Sequence, residues 1–385
     1  MIVNKRAFYI TLLAFIACCG LIPTGQALDF PENSYINVSN LSGSDKVLHI
    51  IDKPGRYILK KDLHGEENKQ GLHITASNVL LDLNGFALIG GDKTQAAIAI
   101  AKNAAFVKIT HGTIRQWGEN GIHAPRSEEI KCTHLDIRNN NNIACEIGDE
   151  AVLYHVKCLS NGSHGIVAGH NAKLTAIRSR SNNGDGVVVG HRAIGETIHS
   201  SGNNQTGVRA GDGSNLTKVT SNNNGKHGIF MGRGSVVNRC VGVSNTGVGI
   251  YTSYSCTIAD CAVEFNTQHG LVVRDGSTIR GCTANDNQKH GFYAFRGVTL
   301  DGCTARSNFQ DGFRMHQGSN AVGCTATKNR IGFRAADGHV VFTTCFAADN
   351  QIGFSIPNAT LMQNSTAMGN QLQNIKHPPK EEKKK

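Results

Sequence analysis

Apolar and polar residues alternate along most of this chain in runs of only three or four. One unit reads Gly291-Phe292-Tyr293-Ala294, a turn near Gly297, Val298-Thr299-Leu300-Asp301, a break at Gly302, Cys303-Thr304-Ala305, and a polar corner at Asn308. Period-two alternation bounded by Gly, Asn and Asp marks short half-buried strands, and no run is long enough for a helix. The unit then repeats. Gly281-Cys282-Thr283-Ala284 returns as Gly302-Cys303-Thr304-Ala305, 21 residues later.

Ladders of single residue types carry the repeat. Asn stands at every twenty-first position from Asn140 to Asn350. Gly does the same from Gly165 to Gly312, then slips back one place to Gly332 and Gly353. Cys occupies 240, 261, 282, 303, 324 and 345, and the same register holds Val156, Ile177, Ile198 and Val219 further back. A position that exchanges Cys for Val and Ile faces the core. The laddered cysteines are expected as free buried thiols, because parallel stacked side chains hold their Cβ atoms wider than a disulfide prefers. Cys132, Cys145, Cys158 and Cys256 fall off this ladder, and nothing in the sequence pairs them.

Three short strands and three turns per unit of about 21 residues predict one coil of a right-handed parallel β-helix, an all-β solenoid. Stacked coils place equivalent residues about 4.8 Å apart, so short amides and glycines recur at the corners. Leucine-rich repeats would need a Leu framework and pentapeptide repeats a five-residue period, and this chain has neither. Upstream the period loosens, as in Gly71–Gly91 and Asn103–His123. The β-helix is expected over residues 71–370, in roughly a dozen coils. Residues 28–70, with VLHIIDKPGRYILKKDL at Val47–Leu63, are expected to form an N-terminal cap and leading strands, since an open sheet end needs cover.

The two ends read differently. Residues 1–27 have the plan of an export signal: Lys5 and Arg6, a mostly apolar stretch from Ala7 to Ile22, and Gly25-Gln26-Ala27 at the cleavage position. Lipid attachment at Cys18 is the alternative. Either way the expected location is extracytoplasmic, whether periplasmic, secreted or at the cell surface. After signal cleavage no apolar run is long enough to span a bilayer. Residues 371–385 end in KHPPKEEKKK and read as a disordered basic tail. The 44 Gly and 6% aromatic content suit short strands with many turns. A net charge of +10, spread along the chain, favours an acidic partner such as a polysaccharide or cell-surface glycan. No nucleic-acid motif is present, and nucleic acid is not an expected partner.

The segments PGRYIL, ASNVLLDLNGFALIG and HGTIRQWGENGI, followed by the Gly-Ile and Cys-Thr-Ala units, resemble the bacterial right-handed parallel β-helix repeat proteins of the pectin-lyase-like superfamily. The resemblance covers about residues 45–370 and implies fold and export. Members with known roles are mostly polysaccharide lyases, epimerases and glycosidases, with adhesins and tail spikes beside them. The enzymes' motifs are missing. Asn266-Thr267-Gln268-His269-Gly270 lacks the carboxylate of a polygalacturonase-like Asn-Thr-Asp, and an epimerase-like Asp-Pro-His-Asp is absent. Paired carboxylates are central to glycoside hydrolysis, so that class is disfavoured.

Candidate chemistry lies on an outward stripe, the second residue after each repeat Gly. It runs Val167, Val188, Arg209, Phe230, Tyr251, Val272, Tyr293, Arg314, Arg334. Aromatic faces stack on sugar rings and Arg forks grip carboxylates, so Arg209, Phe230, Tyr251 and Tyr293 are candidate glycan contacts. The plainer alternative is cross-coil packing of a flat sheet. For lysis or epimerisation of a uronate, Arg314 and Arg334 would neutralise the carboxylate, while Tyr293 or His316 would exchange the proton. Asp275, Asp311 and Asp337 are candidates for Ca²⁺. His269 and His290 sit on adjacent coils, with Asp311 as the one completion of a metal site, against a reading as hydrogen-bonded turn residues. A Thr row at 283, 304 and 325 lacks the second Thr column an ice-binding face needs. The sequence thus leaves two functions open. One is an exported protein that binds and processes an acidic polysaccharide, of lyase or epimerase type. The other is a non-catalytic surface or adhesion module.

Overall fold

A computed structural model describes residues 35–357 and 359–376. The export signal expected at residues 1–27 lies outside them, as does the tail beyond residue 376. The described chain is a right-handed parallel β-helix. One sheet has 16 strands, one per coil, from Val47–Ile51 to Gln373–Lys376; a second has 26 strands and wraps the opposite side. Strands of successive coils pair in parallel and in register, as in Ile250↔Leu271, Leu271↔Phe292 and Phe292↔Phe313.

The solenoid is longer than a dozen coils at both ends. Val47–Ile51 pairs with Gln70–Ile74, and Gly55–Ile58 with Val79–Asp82, so the described part of the expected cap is built into the same two sheets. The early coils escape a search at fixed period because they are longer. Leu72 pairs with Ile98 and Ile122 with Cys145, before the spacing settles at 21 from Cys145↔Ile166 onward. At the other end Gln373–Lys376 pairs with Ile352–Ser355, inside the stretch read as a disordered tail. The slip of the Gly ladder is one coil shorter by a residue: Phe313 pairs with Phe333.

Alternation places every second side chain inside. Phe292, Phe313, Phe333 and Phe354 form a buried stack with ring centroids 4.8, 4.7 and 4.9 Å apart. The Cys ladder is fully inside, and all ten described cysteines are free and buried. Each laddered thiol also finishes a turn. Cys261 Sγ accepts the Cys240 N–H at 3.4 Å and donates to the Ala259 carbonyl at 3.1 Å. Before each Cys the chain bends through a left-handed residue. Gly281, Gly302 and Gly323 take φ of 57°, 58° and 57° there at no steric cost.

The Asn ladder is fully internal. The Oδ1 of Asn287 accepts both the backbone N–H and the side-chain amide of Asn266, at 3.1 and 3.0 Å. The Nδ2 of Asn266 also donates to the Gly242 carbonyl at 2.8 Å. The same pattern repeats from Asn140, whose Oδ1 caps the Trp117 N–H at 3.1 Å, to Asn350 and Asn370.

Two outcomes follow from this packing. Asn266→Ala removes the acceptor for two buried donors of Asn245, and should destabilise the protein by about 2–4 kcal/mol; a denaturant midpoint unchanged from wild type would contradict the ladder's role. Burial pushes the Cys158 thiol well above its ordinary range. Because all ten described thiols are buried away from reagent, almost no cysteine should react in the native protein, but at least those ten should after denaturation without reductant. Recovery of only two or three would mean disulfides.

Candidate functional site

The outward stripe of the 16-stranded sheet exists as a single column. Arg209, Phe230, Tyr251, Val272, Tyr293, Arg314 and Arg334 are paired one to the next. Strand spacing alone brings their rings together. Phe230 and Tyr251 stack with centroids 5.0 Å apart and planes 2° from parallel. The Arg209 guanidinium lies 5.5 Å from the Phe230 ring centre, and its Nε is 3.1 Å from the buried Asp185 carboxylate.

A neighbouring column widens this platform, and the sequence reading missed it. Arg274 donates from Nε to the Tyr251 hydroxyl at 2.9 Å and lies 4.4 Å from the Phe295 ring centre. Phe295 packs on Tyr293 at 4.9 Å, and His316 on Phe295 at 5.7 Å. The signal was available. In this register the earlier coils carry Gly169, Gly190, Gly211 and Gly232, and large residues appear only at Arg274, Phe295 and His316.

The centre of the upper half is Asp311. Its side chain is fully buried. Arg334 Nε lies 3.2 Å from Oδ2, Arg330 Nη2 3.5 Å from Oδ1, and Arg314 Nη1 3.9 Å from Oδ2. Arg330 is a further member absent from the sequence reading. Burial pushes the Asp311 pKa up, while Arg334, Arg330 and Arg314 pull it down. Three guanidiniums surround one carboxylate, so the cluster keeps an excess of positive charge. Arg314 and Arg334 stay partly exposed, with the Arg314 guanidinium 5.8 Å from the Tyr293 ring centre and Arg334 on the next strand. Tyr293, Arg314, Arg334 and His316 are thus brought together at one place. The Arg209, Phe230 and Tyr251 group continues the same face in earlier coils.

His316 is held by a carboxylate. Its Nδ1 is 2.7 Å from Asp337 Oδ2, and its Nε2 is buried without a partner. Bonding to His316 holds the Asp337 carboxyl below its usual range.

The Ca²⁺ expectation does not fit this geometry. Asp275 Oδ1 accepts the Arg296 N–H at 3.1 Å, Asp337 is engaged by His316, and Asp311 sits among three guanidiniums that would repel a cation. Among the described residues no group of three or more His, Cys, Asp or Glu is placed to hold a metal ion. The stacked His269 and His290, 5.0 Å between centroids, are turn residues. His269 Nδ1 accepts the His290 N–H and His290 Nδ1 accepts the Asp311 N–H, both at 3.2 Å. That role needs a neutral ring protonated on Nε2.

A family model for the right handed beta helix region matches residues 168–299 and 246–377, together more than half of the chain. The chain belongs to this right-handed β-helix family. None of the curated proteins matches it. Several solved structures resemble this β-helix. One is the Azotobacter vinelandii mannuronan C-5 epimerase AlgE4 A-module, at 12% identity and TM-score 0.43, covering 89% of this chain and 100% of the other. Another is a double mutant of the periplasmic alginate epimerase AlgG, at 11% identity and TM-score 0.44, covering 89% and 84%. A third is the tailspike gp49 of Acinetobacter baumannii bacteriophage Fri1, a capsular polysaccharide depolymerase, at 9% identity and TM-score 0.41, covering 82% and 63%.

In this β-helix, burial holds His269 at about 4 and His290 at about 3, with nearby cationic groups adding to the shift. A histidine with a depressed pKa favours the fold while neutral, and that contribution is lost as pH falls from the unfolded value near 6.5 toward the folded one. Imidazole titration by NMR should place both midpoints below 5. A midpoint at or above 6 for either would contradict the buried neutral ladder.

Proposed function

We propose that this β-helix binds an acidic polysaccharide along the outward stripe of its 16-stranded sheet. The carrying observation is the Asp311 cluster. One fully buried carboxylate lies within ion-pair distance of Arg314, Arg330 and Arg334 and is hydrogen-bonded by Arg330, and the partly exposed Arg314 places positive charge beside the Tyr293 ring. A uronate offers both matching parts, a planar carboxylate for a guanidinium fork and a ring face for an aromatic side chain. Tyr251 and Phe230 extend the platform, so the stripe spans several sugars along the helix axis rather than one. Apart from the buried Val272, the column is made of half-buried side chains, which suits a chain running across it.

A second reading, turnover of the bound uronate, is favoured by the His316–Asp337 pair. An imidazole oriented through Nδ1 by a carboxylate is a proton-exchanging group, and its unpartnered Nε2, buried in the unliganded protein, would have to be uncovered by the bound sugar to act. Arg314 and Arg334 would neutralise the uronate carboxylate, and Tyr293 or His316 would take the proton next to it. Extracytoplasmic location belongs to the same proposal, because polymeric glycans of this kind lie outside the cytoplasm.

The triple variant Tyr293→Ala/Arg314→Ala/Arg334→Ala should lower affinity for a polyuronate at least tenfold. An unchanged isotherm would sink the reading. Ultraviolet detection of unsaturated product, over a panel of acidic glycans, separates binder from lyase. Product that disappears in His316→Ala would establish turnover.

A further inference from the structure

A second charged face lies on the 26-stranded sheet, away from the stripe. Four adjacent strands, Val107–Arg115, Lys131–Arg138, Val152–Leu159 and Lys173–Arg180, carry eight Lys and Arg against one carboxylate, Asp136. In the sequence these cations look evenly scattered. Pairing of Lys131 with Lys108, and of Lys157 with Arg178, gathers them into columns. The strands themselves therefore carry a local positive excess, with Glu129 and Glu150 in the turns that lead into Lys131 and Val152.

The face also has a depression. A cavity of about 380 Å³ is lined by Lys108, Lys131, His111, His134 and Tyr154, with Thr110 and Thr133 on its floor. The two threonine hydroxyls are buried and bonded to each other at 2.7 Å. One wall is a column of histidines at the sheet's bend: His111 and His134 stack at 5.2 Å, and His134 and His155 at 5.1 Å. All three sit at left-handed φ of 54°, as the bend requires. Tyr154 meets His134 edge-on at 5.5 Å and keeps 41% of its surface exposed. Asp82, 3.5 Å from His111, is the one acidic group at the rim with a short contact to these side chains.

We propose that this depression and its flanking cations form a second binding site for an acidic polysaccharide, one anionic sugar lying over Thr110 and Thr133, beside the paired Lys108 and Lys131 and against Tyr154. A ring-sized hollow with hydroxyls beneath it, a pair of lysines along one edge, histidines along the other and one aromatic ring matches the parts of a charged sugar. A flat anionic membrane would use the cations but not the hollow. A nucleic acid would be served by more stacking faces than the single tyrosine. The site does not rest on the stripe reading. It lies in other coils and on another sheet, so the protein would grip one polymer at two places or two polymers at once, with the gain in avidity that linkage brings.

The test uses the full chain at low salt and titrates three probes: a polyuronate, vesicles of mixed neutral and anionic phospholipid, and a single-stranded oligonucleotide. Measurements are made in the stripe-deficient Tyr293→Ala/Arg314→Ala/Arg334→Ala background and in wild type. Lys108→Glu/Lys131→Glu is compared with Arg239→Glu/Lys328→Glu, which makes the same charge change further along the same sheet. Both lysines have solvent-reaching side chains, and circular dichroism confirms the fold. The expected result is that the stripe-deficient protein still binds polyuronate, that Lys108→Glu/Lys131→Glu weakens this at least tenfold, and that the control pair changes it less than threefold. Tyr154→Ala should weaken it without altering charge. Equal losses for the two charge-reversal pairs would overturn the site, as would tighter binding to vesicles or oligonucleotide than to polyuronate. A stripe that fails its own test leaves this outcome readable, because the two sets of variants do not overlap.

Discussion

One hydrogen-bonding pattern sets the geometry of everything else. Each ladder Asn offers a single side-chain oxygen that takes two N–H groups from the Asn one coil earlier. The amide is buried, so it cannot exchange these partners for water, and a slip of one residue would orphan a row of donors at once. This constraint fixes the axial register. Thiols, glycines and phenylalanines then fall into columns because their positions in the coil are the same, and the phenylalanine stack follows at strand spacing.

The register also determines what the outer faces can do. Residues that share no local sequence become neighbours whenever they share a place in the coil. Tyr293, Arg314 and Arg334 make one column for that reason. The site's charge arises where the column rules change. At the place held by His269 and His290, the next coil carries Asp311, and its buried carboxylate sits 3.4 Å from the His290 ring nitrogen. A lone buried carboxylate would be costly, and the three guanidiniums around it supply the compensation. Each of the three guanidiniums stays partly exposed.

Much of this is legible in the sequence. The 21-residue ladders implied the coil, the inward cysteines and the outward stripe, because each depends only on register. The longer early coils were hidden, since Leu72↔Ile98 and Ile122↔Cys145 break the period while keeping the pairing. Within the expected cap, the described residues from 35 onward pair into those early coils. The site was half visible. Tyr293, Arg314 and Arg334 follow from their column, but Arg274, Phe295 and His316 act from the column beside it and Arg330 from a third, and lateral contact is set by side-chain reach rather than by period. Asp311 looked like a cation ligand because a carboxylate's partners cannot be read from its own position. The gathering of Lys108, Lys131, Arg178 and their neighbours on one sheet was likewise invisible to a reading of net charge.

The central claim is that the stripe around Tyr293 holds a uronate. The most direct measurement is a crystal structure of the protein soaked with a short oligouronate at a concentration that saturates binding in solution. The account predicts a sugar ring lying against Tyr293, with its carboxylate within hydrogen-bonding reach of Arg314 or Arg334. Clear density for the sugar on other faces, with this stripe bare, would contradict it.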